Sequence, residues 1–223
     1  MKARSPFLLF FLAVLLLLPA FAQETKPDAL KTYRLGRDFE AQGRTAEATE
    51  RYEEAVRICK EEISQNATNM DSYTVLTWAL LRQKKYPEAA EWGQKGLKMN
   101  PNDHRVIESI GEAYFYMNDF KESLKAMQRY VDAAPQGERV SVAYFFMGEI
   151  YRIGKQFRHA DIAYTTAVKL EPNLPLWWYR LGIAREGAGE PASAALAFER
   201  AVALSPGYKE ASEGLARAKK AGA

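Results

Sequence analysis

The sequence predicts an all-α chain built as a solenoid, a linear stack of antiparallel helix pairs, and three observations lead there. A small residue follows an aliphatic one at Leu35-Gly36, Ile110-Gly111, Met147-Gly148 and Leu181-Gly182, with Ala or Ser some 12 residues later each time. With Thr77 standing in the second segment, the steps between these small residues are 41, 34, 37 and 34. Pro101, Pro135, Pro172 and Pro206 close the corresponding segments, and a proline just past a helix stops it and turns the chain. Of the 223 residues 48% are hydrophobic and 26% charged, with 10 Pro and 14 Gly, which excludes disorder and collagen-like repeats.

The first element is an address. Residues 1 to 22 place Lys2 and Arg4 ahead of an apolar stretch from Phe7 to Leu18, then Pro19 and the small-x-small run Ala20-Phe21-Ala22. This is the pattern of a secretory signal peptide cleaved before Gln23, with 23 to 28 as a short linker. The alternative is an uncleaved membrane anchor, but Phe7 to Ala22 falls short of the roughly 20 apolar residues that span a bilayer. No cysteine lies near the junction for a lipoprotein anchor. The whole chain has 31 basic and 28 acidic residues, +3, and losing Lys2 and Arg4 leaves +1. So balanced a surface does not predict electrostatic capture of nucleic acid.

The recurrence resembles the tetratricopeptide repeat, a 34-residue helix-turn-helix with the pattern W-x2-L-G-x2-Y, then A-x3-F, then A, then P. Five repeats are expected over 29 to 208, at 29–69, 70–103, 104–140, 141–174 and 175–208, followed by a capping helix and tail at 209–223. The resemblance implies a right-handed superhelix. Repeat 1 carries Leu35, Gly36, Phe39, Ala48, Tyr52 and Ala55, with Thr32 and Lys60 off the pattern. Its run RYEEAVRICKEEIS has no Pro or Gly to stop it, so the second helix is expected to be long. Repeat 2 has Tyr73, Leu76, Leu80, Ala89 and Pro101 but departs at Thr77, Gly93 and Gly96. Repeat 3 has Ile107, Ile110, Gly111, Tyr114, Ser123 and Met127, a bulky Tyr130 where a small residue is common, and a looser turn around Gln136, Gly137 and Glu138.

Repeat 4 matches at Tyr144, Met147, Gly148, Tyr151, Ala160, Tyr164, Ala167 and Pro172. Repeat 5 matches at Trp178, Leu181, Gly182, Ala194, Phe198, Ala201 and Pro206, with Arg185 in place of an aromatic. Two helices approach closely only where one presents a small residue, and each hairpin leaves an apolar face for the next to cover. After Pro206, Ala211, Leu215 and Ala218 fall at helical spacing with Lys, Glu and Arg elsewhere, as expected of a cap with a polar outer face.

No constellation of residues meets the demands of catalysis. Gly182, Gly187 and Gly189 follow no strand and precede no Gly-Lys-Ser/Thr, so they make no phosphate loop. His104 and His159 are not at metal-ligand spacing, and the acids are scattered over helical faces. The lone Cys59 has no disulfide partner; Val56 and Ile58 beside it suggest a semi-buried core filler. Asn66-Ala67-Thr68 is a short N-glycosylation acceptor pattern. No enzyme, metal or small-molecule cofactor is expected.

The resemblance implies a binding groove lined by the first helix of each repeat, at its second, fifth, sixth, ninth, twelfth and thirteenth places. Those places include Tyr33, Arg34, Arg37 and Glu40 in repeat 1 and Thr74, Trp78, Leu81 and Arg82 in repeat 2. Repeat 3 supplies Arg105, Glu108, Glu112, Phe115 and Tyr116, repeat 4 Phe145, Phe146, Glu149 and Arg152, and repeat 5 Leu176, Tyr179, Arg180, Ile183 and Glu186. Chaperone-binding members grip a C-terminal carboxylate with Lys and Asn, but Tyr33, Arg37, Thr74, Val75 and Trp78 stand here instead. Aromatic and aliphatic residues with Arg and Glu between them suit a peptide or helix with apolar anchors.

The expected anchors are Trp78, Tyr116 and Phe145, with Tyr33, Leu81, Phe115, Arg152 and Tyr179 beside them and Arg37, Glu112, Glu149 and Arg180 setting polarity and register. For Trp78, Phe115 and Phe146, burial between successive first helices is the competing placement. The expected role is an adaptor or scaffold for a partner protein in the periplasm, the alternative a structural subunit of an envelope complex. Contact with membrane is expected only if residues 1 to 22 are retained.

Overall fold

The computed structural model describes residues 28–222, and the expected signal segment, 1 to 22, lies outside them. The helices are α1 (Ala29–Ala41), α2 (Thr45–Gln65), α3 (Met70–Arg82), α4 (Tyr86–Met99), α5 (His104–Tyr116), α6 (Phe120–Ala133), α7 (Val140–Ile153), α8 (Phe157–Leu170), α9 (Pro175–Gly187), α10 (Pro191–Leu204) and α11 (Lys209–Ala221). Among the described residues there is no strand. Consecutive helices pair, and each pair abuts the next, so the fold is an all-α solenoid with α11 against its last pair. The long second helix of repeat 1 is present as the 21-residue α2.

Local chemistry starts several helices. Asp28, Asn69, Asp103 and Asp119 each cap a helix by accepting a backbone N–H through the side chain, at Lys31, Ser72, Val106 and Glu122 respectively. The turn inside every pair uses one residue with left-handed backbone: Gly43, Lys84, Asn118, Lys155 and Gly189, with φ of 75, 57, 61, 56 and 78°. Two of these are lysines, which lack glycine's freedom to adopt that conformation.

Within each pair a small residue meets a large one. A Cβ at Gly148 would lie 2.6 Å from the Tyr164 ring, and one at Gly182 would lie 2.5 Å from Phe198. Repeat 2 inverts the arrangement, which explains its departures from the pattern. Thr77 is buried on α3, and Gly93 on α4 leaves the space that Ile110 of the next repeat fills, since a Cβ there would sit 2.2 Å from the Ile110 methyl. Tyr130 in repeat 3 is also buried, and the three extra residues make room for it: the connection bends over the ring and its hydroxyl accepts a hydrogen bond from the Arg139 N–H at 3.1 Å. In repeat 5, Arg185 takes an aromatic's place by binding α8, with its Nε 2.8 Å from Asp161.

The core runs without a break from α1 through α8, with smaller clusters continuing it to α11. Cys59 is fully buried rather than semi-buried, and burial pushes its thiol up to about 12, so it stays a protonated filler. One contact pattern sets the shape of the stack. The backbones of first helices of successive repeats come close, α1 to α3, α3 to α5, α5 to α7 and α7 to α9, whereas those of the second helices of successive repeats do not. The first helices therefore form the closer, inner layer and the second helices the splayed, outer one.

Candidate functional site

The expected groove residues all lie on the helices of the inner layer, but not all of them are open to solvent. Tyr33 is buried at 6% exposure, its ring 5.7 Å from both Tyr52 and Trp78, so it belongs to the core and is no anchor. Phe146 is buried as well, and Phe115, half-buried, meets it edge-on at 4.9 Å. Trp78 and Leu81 are half-buried on the core edge. Tyr116 is the most open aromatic of the set at 47% exposure and stacks on Tyr86 at 4.8 Å. Phe145 stacks on Trp177 at 4.9 Å, and half-buried Tyr179 lies 5.1 Å from Tyr208. A hollow of about 490 Å³ lies between α1 and α3 against Leu30, Arg34, Val75, Trp78, Asp71 and Arg105.

The charged residues correct the expectation more sharply. At each step along the stack an arginine reaches back to an acid on the preceding first helix. Arg82 faces Glu40 at 3.7 Å and Arg105 faces Asp71 at 2.7 Å. Arg139 holds Glu108 at 2.8 Å and Glu112 at 2.9 Å, Arg180 lies 3.1 Å from Glu149, and Arg217 lies 3.1 Å from Glu186. Glu149, itself buried, also holds Arg152 at 2.7 Å and accepts from the Tyr164 hydroxyl. Glu112, Glu149 and Arg180 therefore tie repeats together instead of standing free. Among the described residues Arg34 and Arg37 are exposed with no acid in ion-pair range.

Burial raises the Glu108 carboxyl above its usual range even with Arg139 against it. Glu112 is raised to about 7, first by burial and then by the Glu108 charge one turn away, with Arg139 and Arg82 opposing. The Tyr164 phenol is raised by burial and by the Glu149 carboxylate. The ladder had a visible sequence signal: Glu108 and Arg139, Glu149 and Arg180, and Glu186 and Arg217 are each 31 residues apart. Trp177 had none, because sequence register favoured its neighbour Trp178, whose Nε1 donates to the Pro172 carbonyl at 2.8 Å.

Family models described as tetratricopeptide repeat match residues 28–102, 104–136 and 151–209. The chain belongs to the tetratricopeptide repeat family. It is 32% identical over 94 residues to a Triticum aestivum protein named Hsp70-Hsp90 organizing protein, a match that spans 42% of this chain and 16% of that protein's length. Among solved structures, MamA 41-end from Desulfovibrio magneticus RS-1 superposes with a TM-score of 0.63 at 23% identity, over 83% of this chain and 99% of that one. The APC/C hetero-tetramer Cut9-Hcn1 superposes with a TM-score of 0.69 at 17% identity, over 86% of this chain and 36% of that one. These likenesses show the fold. In this tetratricopeptide repeat stack the places where a carboxylate clamp would sit hold buried Tyr33, Thr74 and Val75.

Proposed function

We propose that this chain is a protein-interaction scaffold that holds an extended or helical segment of a partner protein along its inner face. The observation that carries this reading is the row of aromatic and aliphatic side chains left partly open there, at Trp78, Leu81, Phe115, Tyr116, Phe145 and Tyr179, while charged neighbours pair with one another. Such surfaces supply most of the binding energy in protein interfaces. Catalysis, a metal or a small-molecule cofactor has no part in this reading. The signal-like segment at 1 to 22 supports export, with the periplasm as the working compartment. N-terminal sequencing of the exported protein is expected to begin at Gln23, and a start at Met1 would favour a tethered subunit of an envelope complex instead.

Truncating Trp78, Tyr116 or Phe145 to Ala is expected to cost roughly 1–4 kcal/mol of partner binding with the helical content intact. Capture from an envelope extract, followed by mass spectrometry, reads the loss. Unchanged capture by all three variants would remove the inner face as the site.

A further inference from the structure

Resting on the reading of the inner face as the binding surface, we infer that the partner segment carries a basic side chain where it crosses repeat 3 and an acidic one where it crosses repeats 4 and 5. The argument is charge complementarity at two places one repeat apart. On α5, Glu108 and Glu112 are one turn apart and share a single guanidinium, Arg139. The next cation, Arg82, is engaged by Glu40. One carboxyl group is therefore left without a guanidinium of its own, beside the stacked rings of Tyr86 and the half-exposed Tyr116, whose faces favour cations.

On α7 and α9 the balance is reversed. A single carboxylate, Glu149, faces two guanidiniums, Arg152 and Arg180, and one positive charge is left over. The Arg180 Nε is buried and, although near Glu149, finds no well-aimed acceptor. Both guanidinium side chains remain partly open, at 23% and 31% exposure. Phe115 on α5 and Phe145 on α7 are both half-buried against Phe146, so an apolar strip connects repeat 3 to repeat 4. A segment laid in the opposite direction would set like charge on like charge, so the groove selects direction as well as composition.

The groups facing Glu112 are Glu108 and Tyr116 on α5, Arg82 on α3, Tyr86 on α4 and Arg139 at the start of α7. Because Glu112 gains a proton near pH 7, the basic subsite should weaken as pH falls from 8 to 6.

Random twelve-residue peptides displayed on phage and selected at pH 8 on the purified protein test this. The expected peptides carry Lys or Arg and, beyond an intervening apolar stretch, Asp or Glu. A representative synthetic peptide should lose about tenfold in affinity on its own Lys→Gln change and again on its own Glu→Gln change, with wild-type protein. Glu112→Gln should remove the first sensitivity and Arg152→Gln the second; the peptide-side changes stand even if a protein variant fails to fold. Peptides without the charge pattern that lose affinity on Tyr116→Ala but not on Glu112→Gln or Arg152→Gln would overturn the polarity and leave the groove. No binders at all, or binders indifferent to Trp78→Ala and Tyr116→Ala, would overturn the groove reading and the polarity together.

Discussion

Between repeats 3 and 4 one guanidinium, Arg139, serves two carboxylates, and between repeats 4 and 5 one carboxylate, Glu149, is served by two guanidiniums. The two joints also differ in contact. The connection from α6 to α7 has six residues, the one from α8 to α9 has four, and the first joint opens an apolar cleft of about 240 Å³ against Phe120, Leu124, Ile150 and Ile153. At the second joint the Phe157 ring fills the corresponding space, so close to Gly187 that a Cβ there would lie 2.7 Å away. Arg185 and Asp161 add a second tie across it. Where inserted residues loosen the apolar contact, one shared charge carries more of the joint. Where that contact is close, each ion pair is one tie among several.

The largest expected effect follows from this contrast. Arg139→Ala strands a buried carboxylate and its neighbour and should cost about 2–4 kcal/mol in denaturant unfolding, less than a fully buried pair because the arginine is partly open to solvent. Arg180→Ala leaves Arg152 on Glu149 and should cost about 1 kcal/mol or less; equal losses at the two joints would break the comparison. Next, Gly148→Leu forces a side chain into the Tyr164 ring and should cost roughly 1–3 kcal/mol. Unchanged thermal stability would contradict the small-against-large register inside repeat 4.

The pH response separates the joints further. Glu112 has a folded value of about 7 against an unfolded one of about 4.3, so between those values the folded chain holds a proton that the unfolded chain lacks. Its contribution to stability is therefore full near pH 4, falls as pH rises toward 7 and is flat above. Glu112→Gln should flatten this part of the profile by roughly 1–3 kcal/mol, measured as unfolding free energy from pH 4.5 to 8. Arg152→Gln at the other joint should leave the slope as it is. The smallest effect lies in the turn of repeat 4, where Lys155→Gly removes a left-handed lysine and should stabilise by about 1 kcal/mol. The same change at Asn118 should bring less, since asparagine tolerates that backbone better.

The helices were legible because their signals are local. The 16-residue separation of Gly36 and Tyr52, of Gly148 and Tyr164, and of Gly182 and Phe198 is one hairpin's worth of chain, and the prolines mark its end. The same logic reached the long α2 and the loose connection before α7. Repeat 2 was the hardest to read, because the bulk that compensates Gly93 comes from Ile110 in the next repeat and not from its own hairpin. The site was less legible. Register named Tyr116, Trp78 and Phe145 as inner-face residues, but it also named Tyr33 and Glu149, which are buried.

The sequence by itself determined the all-α repeat architecture, which follows from spacing within a hairpin, while the inward side of each first helix came with the resemblance to the tetratricopeptide repeat. Only the tertiary structure decided which inward residues remain open and which charges cancel. Those outcomes depend on how far each repeat is rotated against the next, and so on whether a guanidinium some 31 residues along the chain can reach a given carboxylate.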